Sequence, residues 1–189
     1  MALSFEELSF KEIKEKERQQ LQKKFGYSNN HQTPRIKKIV VTMCVGDAVV
    51  DSKIIYYVKK CMAMITGQEP CLIKAKKSIA AFKLRKGMPI ACKVTLRRKR
   101  AEDFIRRLVL EVFPRIKDFK GFSIKSFDKE GNFSFGIKDI RVFIEIEDEQ
   151  KKKDVIDKEI GIGIHIHTST KSLLKAKTLL KIRDIPFYD

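Results

Sequence analysis

The chain has 189 residues, with 41 Lys or Arg against 24 Asp or Glu, for a formal net charge of +17. With 43% hydrophobic residues it can bury a proper core, which excludes wholesale disorder. No run of about eighteen apolar residues occurs, so no membrane-spanning helix is expected, and a positive excess this large points to a polyanionic partner.

Phe5, Leu8, Ile13 and Leu21, set among Glu, Lys and Gln, predict an N-terminal helix over residues 1–26 that ends near Gly26. Its acids, Glu6, Glu7, Glu12, Glu15 and Glu17, fit neither a transit peptide nor a secretory signal, so the protein is expected to act where it is made. Ser28–Pro34 reads as a polar loop, Ile36–Met43 as a β-branched strand and Gly46-Asp47 as a turn. A second helix runs over Ile54–Ile65 and is stopped by Gly67. Cys71–Ala75 is a short strand, Lys76–Gly87 a long basic loop and Met88–Arg97 the returning strand.

In that returning strand Ile90, Cys92, Val94 and Leu96 alternate with Ala91, Lys93, Thr95 and Arg97, giving one apolar face and one polar, cationic face. An ordinary half-exposed antiparallel sheet shows the same alternation. The neighbouring charge gives it meaning: from Pro70 to Ala101 there are eleven Lys or Arg and no Asp or Glu.

Further on, Phe104, Ile105, Leu108, Val109, Val112 and Phe113 repeat at helical spacing, and Pro114 closes that helix. Arg115–Gly136 is loop-like, with Gly121, Gly131 and Gly136 as breakers, and Arg141–Ile146 reads as a strand. Glu145–Glu159 mixes seven acids with four lysines and reads as a solvated excursion. Ile160, Ile162, Ile164 and Ile166 alternate with Gly161, Gly163, His165 and His167, a further strand. Thr170 is expected to cap a last helix built on Leu173, Leu174, Ala176 and Leu180. Without regular βαβ units, internal repeats or a linker, these elements predict an α+β class: a two-layer open-faced sandwich, an antiparallel sheet with helices packed on one face, in one domain over residues 27–189.

The chemistry is sparse. Cys44, Cys61, Cys71 and Cys92 have neither zinc-module nor disulfide-framework spacing, and are read as reduced, largely buried thiols in a reducing compartment. His165 and His167 share a strand face, but a metal would need a third ligand from distant His31 or a carboxylate, so no metal is expected. Gly161-x-Gly163 lies inside a strand and is no dinucleotide fingerprint; no P-loop or G-x-S-x-G occurs. No catalytic residues, cofactor or enzymatic activity are expected. What remains is basic. Lys74, Lys76, Lys77, Lys83, Arg85 and Lys86 fall in one loop, suited to sequence-independent phosphate contacts. Phe82 among them reads first as a core anchor, with stacking on an unpaired base as the alternative. Arg97, Arg98 and Arg100 form a second cluster. With no helix-turn-helix or zinc finger, RNA is preferred over DNA.

Ordered motifs sharpen this. Thr42-Met-Cys-Val-Gly-Asp-Ala48, Ile65-Thr-Gly-Gln-Glu-Pro70, Lys74-Ala-Lys-Lys-Ser-Ile-Ala80, Phe82-Lys-Leu-Arg85 and Lys93-Val-Thr-Leu-Arg97 appear in turn. Phe113-Pro-Arg-Ile-Lys-Asp-Phe-Lys-Gly121, Lys125-Ser-Phe-Asp-Lys-Glu-Gly-Asn-Phe133 and Pro186-Phe187 follow. From about Phe25 onward the chain resembles the fifth large-subunit ribosomal protein of the bacterial type, the 5S rRNA-binding family. The resemblance implies a structural, non-enzymatic protein in the central protuberance of the large subunit, in a bacterial cytoplasm or an organelle matrix such as the mitochondrion's. It implies 5S rRNA contacts at Thr42, Gln68 and Thr95, beside the cations Lys93, Arg97, Arg98 and Arg100. The loop Lys74–Met88 matches the family's loop toward peptidyl-site tRNA, and the Gly121–Gly136 stretch the part facing the small-subunit head across an intersubunit bridge. The implied partners are therefore 5S rRNA, large-subunit rRNA, that tRNA and a small-subunit head protein, with no membrane.

The chain also departs from the pattern. Thr42 stands where the family usually has Asn, and Cys44 where it has Gly. A hydroxyl replaces the amide's paired donor and acceptor at Thr42. Arg98-Lys99 replaces a Gly-containing turn, the basic-Gly pair near Lys158-Glu-Ile160 is missing, and Lys151–Asp154 reads as drift or insertion. The alternative reading is a ribosome-derived fold recruited as an interaction protein that no longer binds 5S rRNA directly.

Overall fold

A computed structural model describes residues 10–49, 51–146 and 160–188. Phe5 and Leu8 of the expected first helix, and nearly all of the acid-lysine excursion, lie outside the described residues. In chain order the regular elements are α1 (Phe10–Phe25), β1 (Ile36–Cys44), α2 (Ser52–Thr66), β2 (Cys71–Lys74) and β3 (Pro89–Leu96). They continue with α3 (Lys99–Arg107), β4 (Phe122–Ser123), β5 (Phe133–Ile137), β6 (Ile162–Thr168), α4 (Leu173–Ile182) and β7 (Phe187–Tyr188). The five-stranded antiparallel sheet has the order β2-β3-β1-β6-β5, and β4 pairs with β7 in parallel. The fold is α+β, as the pattern of elements predicts.

The chain divides into two compact units. One comprises Val40–Leu96 and Phe135–His165. Its helix α2 starts where the Asp51 side chain accepts a hydrogen bond from the Lys53 amide at 2.8 Å, and ends at Gly67, whose φ of 65° permits the left-handed C-cap. Ile55, Val58, Met62 and Ile65 recur at helical spacing and are buried, and α2 packs on β3. Opposite them stand Cys92, Val94 and Leu96, with Val41, Met43, Ile162 and Ile164 also buried. Each such side chain contributes about 1.5–3 kcal/mol by leaving water.

Two secondary-structure expectations fail in this unit. Gly136 does not break a loop; it lies within β5. Arg141–Ile146 is not a strand: a 3-10 turn spans Ile140–Val142, opened by Asp139, whose side chain accepts from the Arg141 amide at 2.9 Å. Ile140, Phe143 and Ile146 are the buried positions, a three-residue spacing that suits helical turns and overrides the alternating Val142, Ile144 and Ile146.

The other unit comprises Met1–Ile39, Arg97–Ser134 and Ile166–Asp189. Here α1 packs on α4, with Leu21 fully buried. Helix α3 runs on through a π turn, Leu108–Val112, into a last turn at Phe113–Arg115, so Pro114 sits inside the helical segment instead of closing it. Proline lacks the N–H that an α-helix needs there, and the wider turn, closed by the Phe113 amide on the Leu108 carbonyl, accommodates it. Phe113, Phe119, Phe122, Phe127, Phe133 and Phe187 form a continuous aromatic cluster with centroids 4.9–5.5 Å apart. Gly131, at φ 70°, has no room for a side chain: a Cβ would lie 2.5 Å from the Thr170 carbonyl oxygen.

Ser172, not Thr170, holds the N-cap position of the last helix, with no capping bond from its side chain; the Thr170 hydroxyl accepts from the Ser172 amide at 3.2 Å in the turn before it. Its buried face is Ala176, Leu179 and Leu180, whereas Leu173 and Leu174 are exposed, contrary to expectation. Arg183, just past α4 and only 7% exposed, pairs with two carboxylates. It bonds Glu17 of α1 closely and lies 2.7 Å from Glu102 of α3. One guanidinium cannot neutralise two buried carboxylates, and burial pushes Glu17 up to about 7.

Candidate RNA interface

Within the unit built on α2, the sheet has a covered face and a face left to solvent. Val41 and Met43 of β1 are buried completely, while Thr42 between them is half-buried and Cys44 exposed. On β3, Cys92, Val94 and Leu96 are buried, Lys93 is exposed and Thr95 half-buried. On β6, Ile162 and Ile164 are buried, with Gly163 and His165 half-buried. The period of two thus sorts Thr42, Lys93, Thr95, Gly163 and His165 onto the uncovered side. Cys71 is the cross-strand partner of Lys93 and is exposed with it. Val40 of β1 and Ala91 of β3 depart from this alternation, both being buried, and Ile90 is only half-buried.

Gln68 joins this group through a tight turn. The Thr66 hydroxyl donates to the Met62 carbonyl at 2.7 Å, Gly67 takes the left-handed conformation, and the Gln68 side-chain amide then reaches the Thr95 carbonyl at 3.4 Å. Next to it Glu69 pairs with Lys59 at 2.5 Å, and that hydrogen bond holds the Lys59 ammonium above the ordinary lysine value. Thr42, Gln68, Lys93 and Thr95 therefore belong to one unit, and Gln68 touches the Thr95 backbone directly.

The basic loop is folded. The Ala75 amide donates to the Met88 carbonyl at 2.8 Å and the Gly87 amide to the Ala75 carbonyl at 2.9 Å, closing its base. Ile79 and Leu84 form a bridge, and the Lys86 amide donates to the Ser78 hydroxyl at 2.9 Å. At the tip a 3-10 turn spans Ala80–Phe82, and Lys83 takes φ 52°. Lys74, Lys76, Lys77, Lys83, Arg85 and Lys86 are all exposed on this pinned backbone. So is Phe82, at 72%: it is not a core anchor. Three hydrophobic neighbours, Ile79, Ala80 and Ala81, are exposed with it, because a turn this tight leaves nothing beneath it to pack against.

Arg97, Arg98 and Arg100 stand at the entrance to α3 in the other unit, all exposed. Cations at a helix N-terminus oppose its dipole, so their concentration there does not serve the helix. Arg98, at φ 52° and ψ −130°, occupies a conformation that favours glycine, at the position where the family pattern has a Gly-containing turn.

Two of the four thiols, Cys61 and Cys92, are buried; Cys44 and Cys71 are exposed, so the expectation of largely buried cysteines holds for half of them. All four are free, and burial pushes the Cys92 thiol up to about 11, leaving it protonated. Among the described residues no group of three or more His, Cys, Asp or Glu could hold a metal ion, and no helix is long and apolar enough to cross a membrane. Sequence reasoning missed Gly163 as a neighbour of Thr42; the only available signal was a glycine in mid-strand.

A polar sheet face carrying Lys93 and a pinned, acid-free basic loop suit a polyanionic partner such as RNA. Residues 29–85 match the family model described as ribosomal protein L5, and residues 89–187 match the model for the C-terminus of the same ribosomal family. The chain belongs to the ribosomal protein L5 family. It is accordingly a structural, rRNA-binding protein of the large ribosomal subunit, and the ribosome is where it works.

Proposed function

We propose that the protein docks 5S rRNA in the central protuberance through the uncovered face of its sheet, without catalysing any reaction. Thr42, Gln68 and Thr95 fix the register of the complex by polar contacts, and Lys93, Arg97, Arg98 and Arg100 supply phosphate neutralisation. The loop Lys74–Met88 extends to peptidyl-site tRNA, with Phe82 as a bare ring for an unpaired base. The Gly121–Gly136 stretch faces a protein of the small-subunit head. The organisation this reading assumes is an N-terminal helix followed by a single docking domain.

The observation that carries the reading is a sheet face on which exposed Lys93 stands with half-buried Thr42 and Thr95, together with a loop whose backbone is held by its own hydrogen bonds while its six cations are exposed. A preorganised loop loses little entropy on binding. The test is titration of the purified protein with its own 5S rRNA, excess tRNA as competitor, at two salt concentrations. Tight binding that survives the competitor is expected. Binding abolished by tRNA and modest salt would leave only a non-specific basic surface.

A further inference from the structure

The short link Gly67–Pro70 joins α2 to β2 and carries Gln68. A glutamine side chain on a loose link loses rotamer freedom when it binds, and that entropy subtracts from affinity. Two tethers hold this link to α2, one on each side of Gln68. The first is the hydroxyl of Thr66, a residue only 3% exposed. It lies 2.7 Å from the Met62 carbonyl, 3.1 Å from the Gln68 carbonyl and 3.4 Å from the Gln68 amide nitrogen. Its single proton serves one carbonyl at a time, and the Met62 bond is the shorter, so a lone pair is left to accept from the Gln68 N–H. The second tether is the ion pair of Glu69 with Lys59 of α2 at 2.5 Å, formed although the Glu69 side chain is 73% exposed. Exposed pairs add little to stability, so the effect of this one is local: it fixes the residue next to Gln68.

Between the tethers half-buried Gln68 sends its side-chain amide to the Thr95 carbonyl at 3.4 Å. A hydrogen bond that long is weak, so the backbone beneath Gln68 has to be held from elsewhere. Thr66 is the residue placed to do it. Burial keeps it out of reach of any partner, and its β-branch restricts χ1, so the hydroxyl keeps its direction. We propose that Thr66 and the Lys59–Glu69 pair are positioning residues for RNA docking, holding the turn so that Gln68 meets the RNA already oriented. This rests on the reading that the sheet face docks 5S rRNA with Gln68 in contact.

The experiment is a double-mutant cycle read as 5S rRNA affinity, with melting curves confirming that each variant folds. Thr66→Val keeps the shape of the side chain and removes the hydroxyl, whereas Thr66→Ser keeps the hydroxyl. Thr66→Val is expected to weaken binding about three- to tenfold without changing its salt slope, and Thr66→Ser to bind as wild type does. In a Gln68→Ala background Thr66→Val should have no further effect. Glu69→Gln is expected to weaken binding about two- to threefold, again only while Gln68 is present. A loss from Thr66→Val of the same size in the Gln68→Ala background would make Thr66 merely structural and overturn the proposal, as would unchanged binding by Thr66→Val. If wild type binds 5S rRNA and Gln68→Ala binds it equally well, the positioning role falls and the docking face stands. If wild type does not bind 5S rRNA at all, both fall. Should Thr66→Val fail to fold, Glu69→Gln, at an exposed position, carries the same cycle.

Discussion

The loop Lys74–Met88 and the Glu17–Arg183–Glu102 cluster handle charge in opposite ways. In the loop six cations stand in water on a backbone that hydrogen-bonds to itself, and no acid is within the segment. In the cluster one cation is buried between two carboxylates contributed by separate helices. Exposed charges of the first kind contribute almost nothing to stability and remain available to a polyanion. Buried charges of the second kind bind no partner, and their removal is costly because each survivor is left desolvated. The comparison separates substitutions that should alter folding from those that should alter binding.

The largest effect is expected from Arg183→Leu, which strands Glu17 and Glu102. Unfolding in urea should show a loss of about 3–5 kcal/mol, whereas Lys76→Ala with Lys77→Ala should leave stability within about 0.5 kcal/mol. Equal losses in the two variants would erase the contrast.

The cluster also has a pH signature. Folded Glu17 titrates at about 7 against 4.5 for the unfolded residue, so between those values the native state holds a proton that the unfolded state has released. Its contribution is therefore full below about 4.5 and is lost as pH rises through about 7. The loss is on the order of 3 kcal/mol. Denaturation at several pH values should show this decline in wild type and its removal in Glu17→Gln, which keeps the shape without the charge. A decline of the same size in the variant would assign it to other groups.

A smaller gain is expected from Arg98→Gly. Relieving the positive φ should stabilise the protein by about 1 kcal/mol, while removing one exposed cation lowers RNA affinity modestly. If stability does not rise, the strain at Arg98 is absorbed locally.

Much of this was legible in the sequence, for a physical reason. Periodicity reports burial, so β1, α2, β3 and β6 are readable from Ile, Val, Leu and Met spacing alone. The acid-free loop is readable because nothing local competes with its charge. Failures came where two periods coexist or a neighbour decides. Ile140, Phe143 and Ile146 follow a helical period hidden beneath an alternating one. Phe82 looks like core in any one-dimensional reading, and only the tightness of its turn exposes it. Glu17 and Arg183 lie 166 positions apart, and no local pattern announces that they meet. Gly163 falls between these cases, visible as an oddity in a strand but intelligible only beside Thr42.

The smallest effects test whether the sheet and the loop contact the same RNA. Thr95→Val replaces a half-buried hydroxyl by a methyl of the same shape, so folding should be unchanged. Loss of a neutral hydrogen bond should weaken 5S rRNA binding by about threefold, at every salt concentration alike. The Lys76→Ala, Lys77→Ala variant removes only charge. If those lysines touch 5S phosphates, the slope of log affinity against log salt should flatten by about 0.7 to 0.9 for each phosphate no longer neutralised. If instead that slope is unchanged with 5S rRNA but flattens with tRNA, the sheet face and the loop serve two different RNAs. Reversed behaviour, with Thr95→Val altering the salt slope, would mean that the hydroxyl orients a phosphate contact, and the division between polar register and cationic attraction would have to be redrawn.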